Sequence, residues 1–154
     1  MNEKKKILIF DETPIVQNIK RLTQFWGYEG IGIASADCIE DAIVQNDIDV
    51  IILAKEIKTK GPALFDSLLD IDFLNKIDDI EIDYEFGLKI YERLRKQSIR
   101  LPVIFTTTDN LDEKDLRYYP GLNGGIRAAM IEKPFGSGDE LRMAIEKCLG
   151  LHNA

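Results

Sequence analysis

Cysteine and histidine are scarce in this chain, and their scarcity disfavours several classes of protein. Among 154 residues there are two cysteines and one histidine. Cys38 and Cys148 are far apart and have no metal-ligand spacing, which argues against a zinc site and against a disulfide scaffold. We expect two buried, reduced thiols. His152 lies in the C-terminal tail, and we assign it no function.

Long hydrophobic runs are also absent. No apolar run approaches the ~18 residues that a membrane-spanning helix requires. The basic N-terminus, MNEKKK, is followed by a short apolar run, Ile7 to Phe10. That run is too short for the core of a signal peptide. The sequence therefore predicts a cytoplasmic protein that does not bind a membrane.

Positive charge is in deficit, with 20 Lys and Arg against 27 Asp and Glu and a net charge of -7. A phosphate backbone needs a basic surface, so this balance argues against nucleic acid as a partner. The acidity is concentrated in residues 66 to 85, which carry the same net charge as the whole chain. We interpret that segment as a solvated face.

The sequence does contain a regular alternation of apolar runs and helical patterns. Continuous apolar runs such as Ile7 to Phe10 are typical of strands buried on both faces of a parallel sheet. Strands are predicted at residues 7–10, 30–34, 49–53, 102–106 and 128–131. Helices are predicted at residues 13–26, from about 37, and at 87–96, 111–118 and 139–149. This alternation predicts a doubly wound α/β fold with a five-stranded parallel sheet in a single domain, residues 1–154.

One segment interrupts this alternation. From Lys55 to Phe86 the sequence has no clean succession of strand and helix. Leu64, Leu68 and Ile71 have helical spacing, whereas residues 80 to 86 alternate with acids in the manner of a strand or of the tail of a helix. We interpret residues 58 to 82 as an acidic insert, either a solvated loop or a cover over the neighbouring strand ends.

Polar residues stand where the predicted strands end. Asp11-Glu12, Ala54, Thr107 and Lys133 lie at carboxyl ends of strands, the edge at which such sheets bind ligands. A carboxylate pair suits Mg2+, and a hydroxyl and a lysine suit a phosphoryl group. Together they describe a phosphoryl-transfer site. The nucleophile is missing, because the third acid would have to stand at Ala54.

Taken in order, these motifs resemble the receiver domain of two-component response regulators. KKILIFDETP resembles the first strand with its acidic pair, and GYEGIGIASADCIEDAI resembles the second strand and helix. DVIIL resembles the third strand, FGLKIYERLR the third helix, LPVIFTTT the fourth strand and MIEKPF the fifth. The resemblance covers nearly the whole chain except roughly residues 58 to 82. It implies a flavodoxin-like (βα)5 fold with the acidic insert between the third strand and the third helix.

The resemblance also implies a role for each strand-end residue. Asp11 and Glu12 match the metal-binding acids, although an acidic pair there also suits a helix N-terminus. Thr107 matches the hydroxyl that senses phosphate, and Lys133 matches the lysine that contacts the phosphoryl group. Ala54 matches the phosphoacceptor aspartate. The implied Mg2+ site is therefore weak or vestigial, and we expect Lys133 to pair with Asp11 or Glu12.

Further positions depart from the family's pattern. Lys58 stands where the family often has a proline, and Met130 stands at the aromatic switch position. A few extra residues occur around 120 to 125. The coincidence of these departures favours natural degeneration over an engineered Ala54 in an otherwise functional receiver.

The orientation of two side chains near the site stays open. Thr107 lies in a run of three threonines, so Thr106 or Thr108 is an alternative inward-facing hydroxyl. Glu56 points the same way as Ala54 in an extended chain, where it could supply a fixed carboxylate. Because the predicted strand has ended before it, we expect Glu56 to be a solvent-facing loop acid.

The sequence thus predicts a stand-alone signalling module, not an enzyme, that acts by phosphorylation-independent protein-protein contact. The resemblance implies a histidine kinase, a phosphotransfer protein or an output protein as partner, and a homodimer as a further option. One alternative is a phosphorylatable receiver whose acceptor was substituted at Ala54. The other is a Mg2+-dependent phosphohydrolase of the haloacid-dehalogenase type, which needs a second aspartate where this chain has Thr13.

Overall fold

The computed structural model describes residues 4–33, 35–60, 81–83, 85–107, 128–132 and 138–150. The strands are β1 (Lys6–Phe10), β2 (Glu29–Gly32), β3 (Val50–Ala54), β4 (Ile57–Lys60), β5 (Glu81–Asp83), β6 (Val103–Thr107) and β7 (Ala128–Glu132). The α-helices are α1 (Thr13–Phe25), α2 (Ile39–Asn46), α3 (Phe86–Lys96) and α4 (Asp139–Cys148). A 3-10 turn, Ala36–Cys38, precedes α2.

The central layer is a five-stranded sheet with the strand order β2-β1-β3-β6-β7. Every neighbouring pair in it is parallel. Phe10 is paired with Leu53, and Ala54 with Thr106. Since parallel strands end at the same edge, this register gathers the carboxyl ends of β1, β3 and β6 side by side.

Helices cover both faces of the sheet, because successive side chains of a strand point to opposite faces. Leu53 and Phe105 belong to a cluster that packs on α2 and α3. Ile52 and Ile104 belong to a second cluster, which packs on α1 and α4. The central strand, β3, is buried throughout. The predicted doubly wound, parallel α/β architecture is confirmed.

The insert and one predicted helix fall largely outside the described residues. The helix expected at 111–118 is among them, as are residues 61–80 of the insert. The ends of the insert form an antiparallel pair of β4 with β5. The alternation at 80 to 86 therefore includes a strand, Glu81–Asp83. Strand β4 was missed because Lys58-Thr59-Lys60 gives no apolar signal and its partner lies far along the chain.

The cysteines agree with only part of the sequence prediction. Cys38 and Cys148 form no disulfide, as predicted. Their expected burial was wrong, because Cys38 is exposed where the 3-10 turn meets α2, and Cys148 is half-buried. None of the helices in the described ranges is long and apolar enough to cross a membrane.

Gly87 lets the start of α3 approach the end of β3. Its amide donates a hydrogen bond to the Lys55 carbonyl oxygen at 2.8 Å. A Cβ at this position would lie 2.6 Å from the Ala54 carbonyl oxygen and 2.8 Å from the Cα of Lys55. Both atoms belong to the backbone, which cannot rotate away as a side chain can. The fit of α3 against the strand end therefore requires glycine.

We expect Gly87→Ala to lower the free energy of unfolding by about 1–3 kcal/mol, because the backbone must shift to admit the methyl group. Alanine is the better helix former, so propensity alone predicts the opposite sign. Urea denaturation measures the difference. Glu92→Ala, at an exposed position of the same helix, is the control. Equal stability of Gly87→Ala and the unaltered chain would contradict the close approach.

An ion pair joins the two helices on this face of the sheet. Arg93 Nη2 donates to Glu40 Oε1 at 2.7 Å and to the Ala36 carbonyl oxygen at 2.8 Å. Gln97 Nε2 donates to Glu40 Oε2 at 3.1 Å. Burial raises the pKa of Glu40, but the hydrogen bonds from Gln97 and Arg93 and the charge of Arg93 outweigh it. The net effect is a pKa below the ordinary 4.5.

Because the folded-state pKa is lowered, Glu40 stabilises the fold above its unfolded-state pKa, and this stabilisation is lost as the pH falls through the folded-state value. We expect Glu40→Gln to be less stable than the unaltered chain at pH 7, by at most about 1 kcal/mol for a partly exposed pair. The difference should shrink as the pH falls below 4.5 and through the lowered folded-state pKa of Glu40. Urea denaturation at pH 7 and at a series of lower pH values, with Glu92→Gln as control, measures it. A difference independent of pH would count against the ion pair.

Candidate functional site

The carboxyl edge of the sheet brings two of the predicted positions, Asp11 and Ala54, into one row with Thr106, the alternative to Thr107. Asp11 directly follows Phe10, whose pairing with Leu53 places Asp11 beside Ala54. Ala54 is paired in turn with Thr106. Side chains in one row of a sheet point to the same face. Asp11, Ala54 and Thr106 therefore share the face that α1 and α4 cover.

A buried hydrogen bond spans this row. Thr106 Oγ1 donates to Asp11 Oδ2 at 2.5 Å, and both residues are buried. Their strands, β1 and β6, are separated by β3 and thus by about 10 Å. The two side chains therefore meet over the methyl group of Ala54, which is fully buried. A larger side chain at position 54 would enter the volume that this hydrogen bond occupies.

Glu56 lies on the other side of the same edge. Thr107 Oγ1 donates to Glu56 Oε2 at 2.8 Å. Glu56 is 2% exposed and Thr107 is fully buried. The expectation of a solvent-facing loop acid was wrong, because Glu56 stays buried beside the sheet although β3 ends at Ala54. The Lys55 amide donates to the Thr106 carbonyl oxygen at 2.8 Å, which keeps the next residue beside β6.

The consecutive threonines of β6 were alternatives in the sequence, and the structure buries both. Thr106 faces Asp11, whereas Thr107 points to the opposite face and bonds Glu56. Thr108 lies outside the described residues. A run of hydroxyls at the end of a buried strand, together with acids at the ends of its neighbours, was the available signal. This pattern could not show which acid each threonine bonds, because the hydrogen-bond partners depend on the register of the strands.

The acidic pair is oriented by the start of α1. Asp11 Oδ1 accepts a hydrogen bond from the Glu12 amide at 2.7 Å, so hydrogen bonds reach both oxygens of the Asp11 carboxylate. Glu12 is the N-cap residue of α1, but its side chain makes no capping hydrogen bond. The helix instead has Pro14 in its first turn, which its backbone geometry favours.

The described part of the edge offers Mg2+ two carboxylates, Asp11 and Glu12, and no third acid at position 54. Both Asp11 oxygens already accept hydrogen bonds, and the Ala54 side chain offers no oxygen ligand. Within the described ranges, no group of three or more His, Cys, Asp or Glu is placed to hold a metal ion. A weak Mg2+ site at Asp11 and Glu12 stays a prediction.

The remaining predicted positions are Lys133 and Met130. Lys133 lies outside the described residues, so its pairing with Asp11 or Glu12 stays a prediction. Met130 lies in β7, where its backbone is paired with Phe105 of β6. Met130, which the resemblance assigns to the switch position, therefore lies on the strand next to the two threonines.

Comparison with known proteins supports the fold. No protein-family model and no curated protein sequence matches this chain. A response regulator receiver domain from Clostridium thermocellum matches with a TM-score of 0.63 at 21% identity, over 97% of each chain. The chemotaxis protein CheY4 of Vibrio cholerae matches with a TM-score of 0.63 at 19% identity, over 96% of this chain and 100% of its own.

A longer protein matches over part of its length. NtrX from Brucella abortus, crystallised with ATP, has a TM-score of 0.64 at 20% identity, over 97% of this chain but 27% of its own. This chain thus spans about a quarter of NtrX. At such identities the likeness establishes the fold. The chain has the flavodoxin-like fold of receiver domains, as the resemblance of its motifs implied.

The bridge over Ala54 should contribute measurably to stability. We expect Thr106→Val to lower the free energy of unfolding by about 1–3 kcal/mol, because a buried oxygen of Asp11 loses its donor. Thr106→Ser keeps the hydroxyl and should stay closer to the unaltered chain. Urea denaturation at pH 7 compares the two variants. If Thr106→Val is more stable than Thr106→Ser, the methyl group of Thr106 contributes more to stability than its hydrogen bond to Asp11 does.

Proposed function

We propose that this chain is a receiver-like signalling protein of a two-component or phosphorelay pathway, that it lacks the phosphoacceptor aspartate at position 54, and that it acts by phosphorylation-independent protein-protein contact. Its partners are signalling proteins: a histidine kinase, a phosphotransfer protein or an output protein. The carrying observation is the fully buried Ala54 at the end of the central strand, where the resemblance places the phosphoacceptor. Alanine has no carboxylate with which to attack a phosphoryl donor.

The surroundings of Ala54 support the proposal. The bridge from Thr106 to Asp11 passes over its methyl group and takes up the space of a longer side chain. On the opposite face, Thr107 is engaged by Glu56. Both hydroxyls at the end of β6 are thus held by acids of this chain. An open phosphoryl-transfer site at position 54 needs the hydroxyl on its own face, that of Thr106, directed at the transferred group instead.

The same contacts weigh against a phosphorylatable receiver with a single substitution. Restoring aspartate at position 54 would place a second carboxylate beside the buried Asp11 and against its hydrogen bond with Thr106. Aspartate would therefore have to displace that hydrogen bond. The contact suits alanine at position 54, which supports natural degeneration.

The phosphohydrolase alternative has less support. In that class a second aspartate follows the first by two residues. Here that residue is Thr13, the first residue of α1. A homodimer, by contrast, is compatible with the proposal, and α4 carries an exposed apolar side chain, Met143. Dimerisation stays a proposal without a defined interface.

Intact mass spectrometry tests the proposed function. The chain is incubated with acetyl phosphate and Mg2+, beside the Clostridium thermocellum receiver domain as a control for the reagents. We expect no gain of phosphoryl mass on this chain, because position 54 lacks a nucleophile. A gain would show that another acid, such as Glu56 or Asp11, accepts the group, and the proposed function would be wrong.

The variant Ala54→Asp completes the design. A gain of mass by this variant alone would show that the remaining groups still support phosphoryl transfer and that the alanine alone blocks it. Absence of a gain in both proteins indicates that the contacts around position 54 have also closed the site. In both cases the unaltered chain gains no phosphoryl group, as the proposed function requires.

A further inference from the structure

The end of β6 is tied to neighbouring segments from both faces of the sheet. Thr106 donates to Asp11, which follows β1, on the face of α1 and α4. Thr107 donates to Glu56, which lies between β3 and β4, on the opposite face. The hydrogen bond between Thr106 and Asp11 closes the space over Ala54. The hydrogen bond between Thr107 and Glu56 instead holds the segment that directly follows position 54, because Glu56 belongs to that segment.

Burial makes the contact of Glu56 with Thr107 strong. Glu56 is 2% exposed, and an ionised carboxylate in such a place is costly unless donors satisfy it. The hydroxyl of Thr107 is fully buried as well, at 2.8 Å from Glu56 Oε2. A buried hydrogen bond is costly to break, because a donor or acceptor that loses its partner keeps the cost of desolvation. Each group therefore fixes the other.

The backbone around Glu56 transmits this constraint to a helix. The Lys55 amide donates to the Thr106 carbonyl oxygen, and the Lys55 carbonyl oxygen accepts from Gly87 at the start of α3. Glu56 thus follows a residue whose backbone is fixed on both sides. On its other side, Ile57 begins β4 and is paired with Asp83 of β5. The position of Glu56 is coupled to α3 and to the β4-β5 pair.

We propose that Glu56 is a permanent internal acid ligand of Thr107, and that this contact, the Glu56–Thr107 lock, fastens the segment after position 54 to the end of β6. This inference rests on the proposed function, since it concerns the same site. The carboxylate is part of the chain and is always present. It therefore holds the segment after β3, the end of β6 and the start of α3 in one conformation without any modification.

Amide hydrogen exchange of the 154-residue chain, measured by mass spectrometry, tests this lock. The test variants are Glu56→Gln, which keeps the side-chain volume, and Thr107→Val, which keeps the shape without the hydroxyl. We expect both to exchange the amides of residues 54–57 and 103–107 about tenfold faster or more than the unaltered chain. Thr107→Ser, which retains the hydroxyl, and Glu92→Gln, at an exposed acid, should stay within about twofold.

Opposite patterns would overturn the inference. If Thr107→Val exchanges like the unaltered chain while Thr107→Ser is faster, Thr107 only fills space. Unchanged exchange in Glu56→Gln would show that the charge of Glu56 does not hold the lock. In the double variant, Glu56→Gln with Thr107→Val, exchange should be no faster than in the faster single variant. Additive effects of the two changes would also overturn it.

The two proposals fail independently. Phosphoryl mass on the unaltered chain overturns the proposed function, whatever the exchange rates are. Unchanged exchange in Glu56→Gln overturns the lock, even where no phosphoryl mass appears. Faster exchange in Glu56→Gln and Thr107→Val, with no phosphoryl mass on the unaltered chain, supports both.

Discussion

The hydrogen bond between Thr106 and Asp11 is the contact on which the rest of the strand-end arrangement depends. It joins two strands that are not neighbours, and it can do so only because the side chain between them is a methyl group. The small residue at position 54 and the acid at position 11 are thus parts of one structure. In a receiver with an acceptor, the resemblance places the metal at that acid. Here hydrogen bonds reach both of its carboxylate oxygens from within the chain.

Two buried acids at one edge of a sheet would ordinarily destabilise a domain. Desolvation disfavours each charge, and only well-placed donors offset that cost. The two threonines supply such donors because consecutive residues of a strand face opposite sides. Asp11 and Glu56 therefore lie on opposite faces of the sheet, each with its own hydroxyl. This division lets one strand end satisfy two acids at once.

Sequence reasoning reached the architecture more readily than the pairing of groups. Runs such as Val50 to Leu53 are buried on both faces, so their apolar continuity identified β1, β3 and β6 directly. Strand β4 has no such signal, since its order comes from pairing with β5. The orientation of Glu56 was misjudged for a related reason. The apolar run ends at Ala54, but the hydrogen bond from Lys55 to Thr106 continues the strand pairing past that point. Register and backbone pairing are tertiary properties that composition does not encode.

These contacts bear on how a receiver-like chain can signal without an acceptor. A modification shifts a conformational equilibrium only to the extent that it favours one state over the other. Under the proposed function, position 54 receives no such modification, whereas Glu56 supplies a constant bias through Thr107. The conformation at this edge then carries no information about upstream phosphorylation. What varies is how much of the chain is present and how much of its partner is available to bind it. Under both proposals, regulation therefore acts on the abundance of the chain and on competition for its partner.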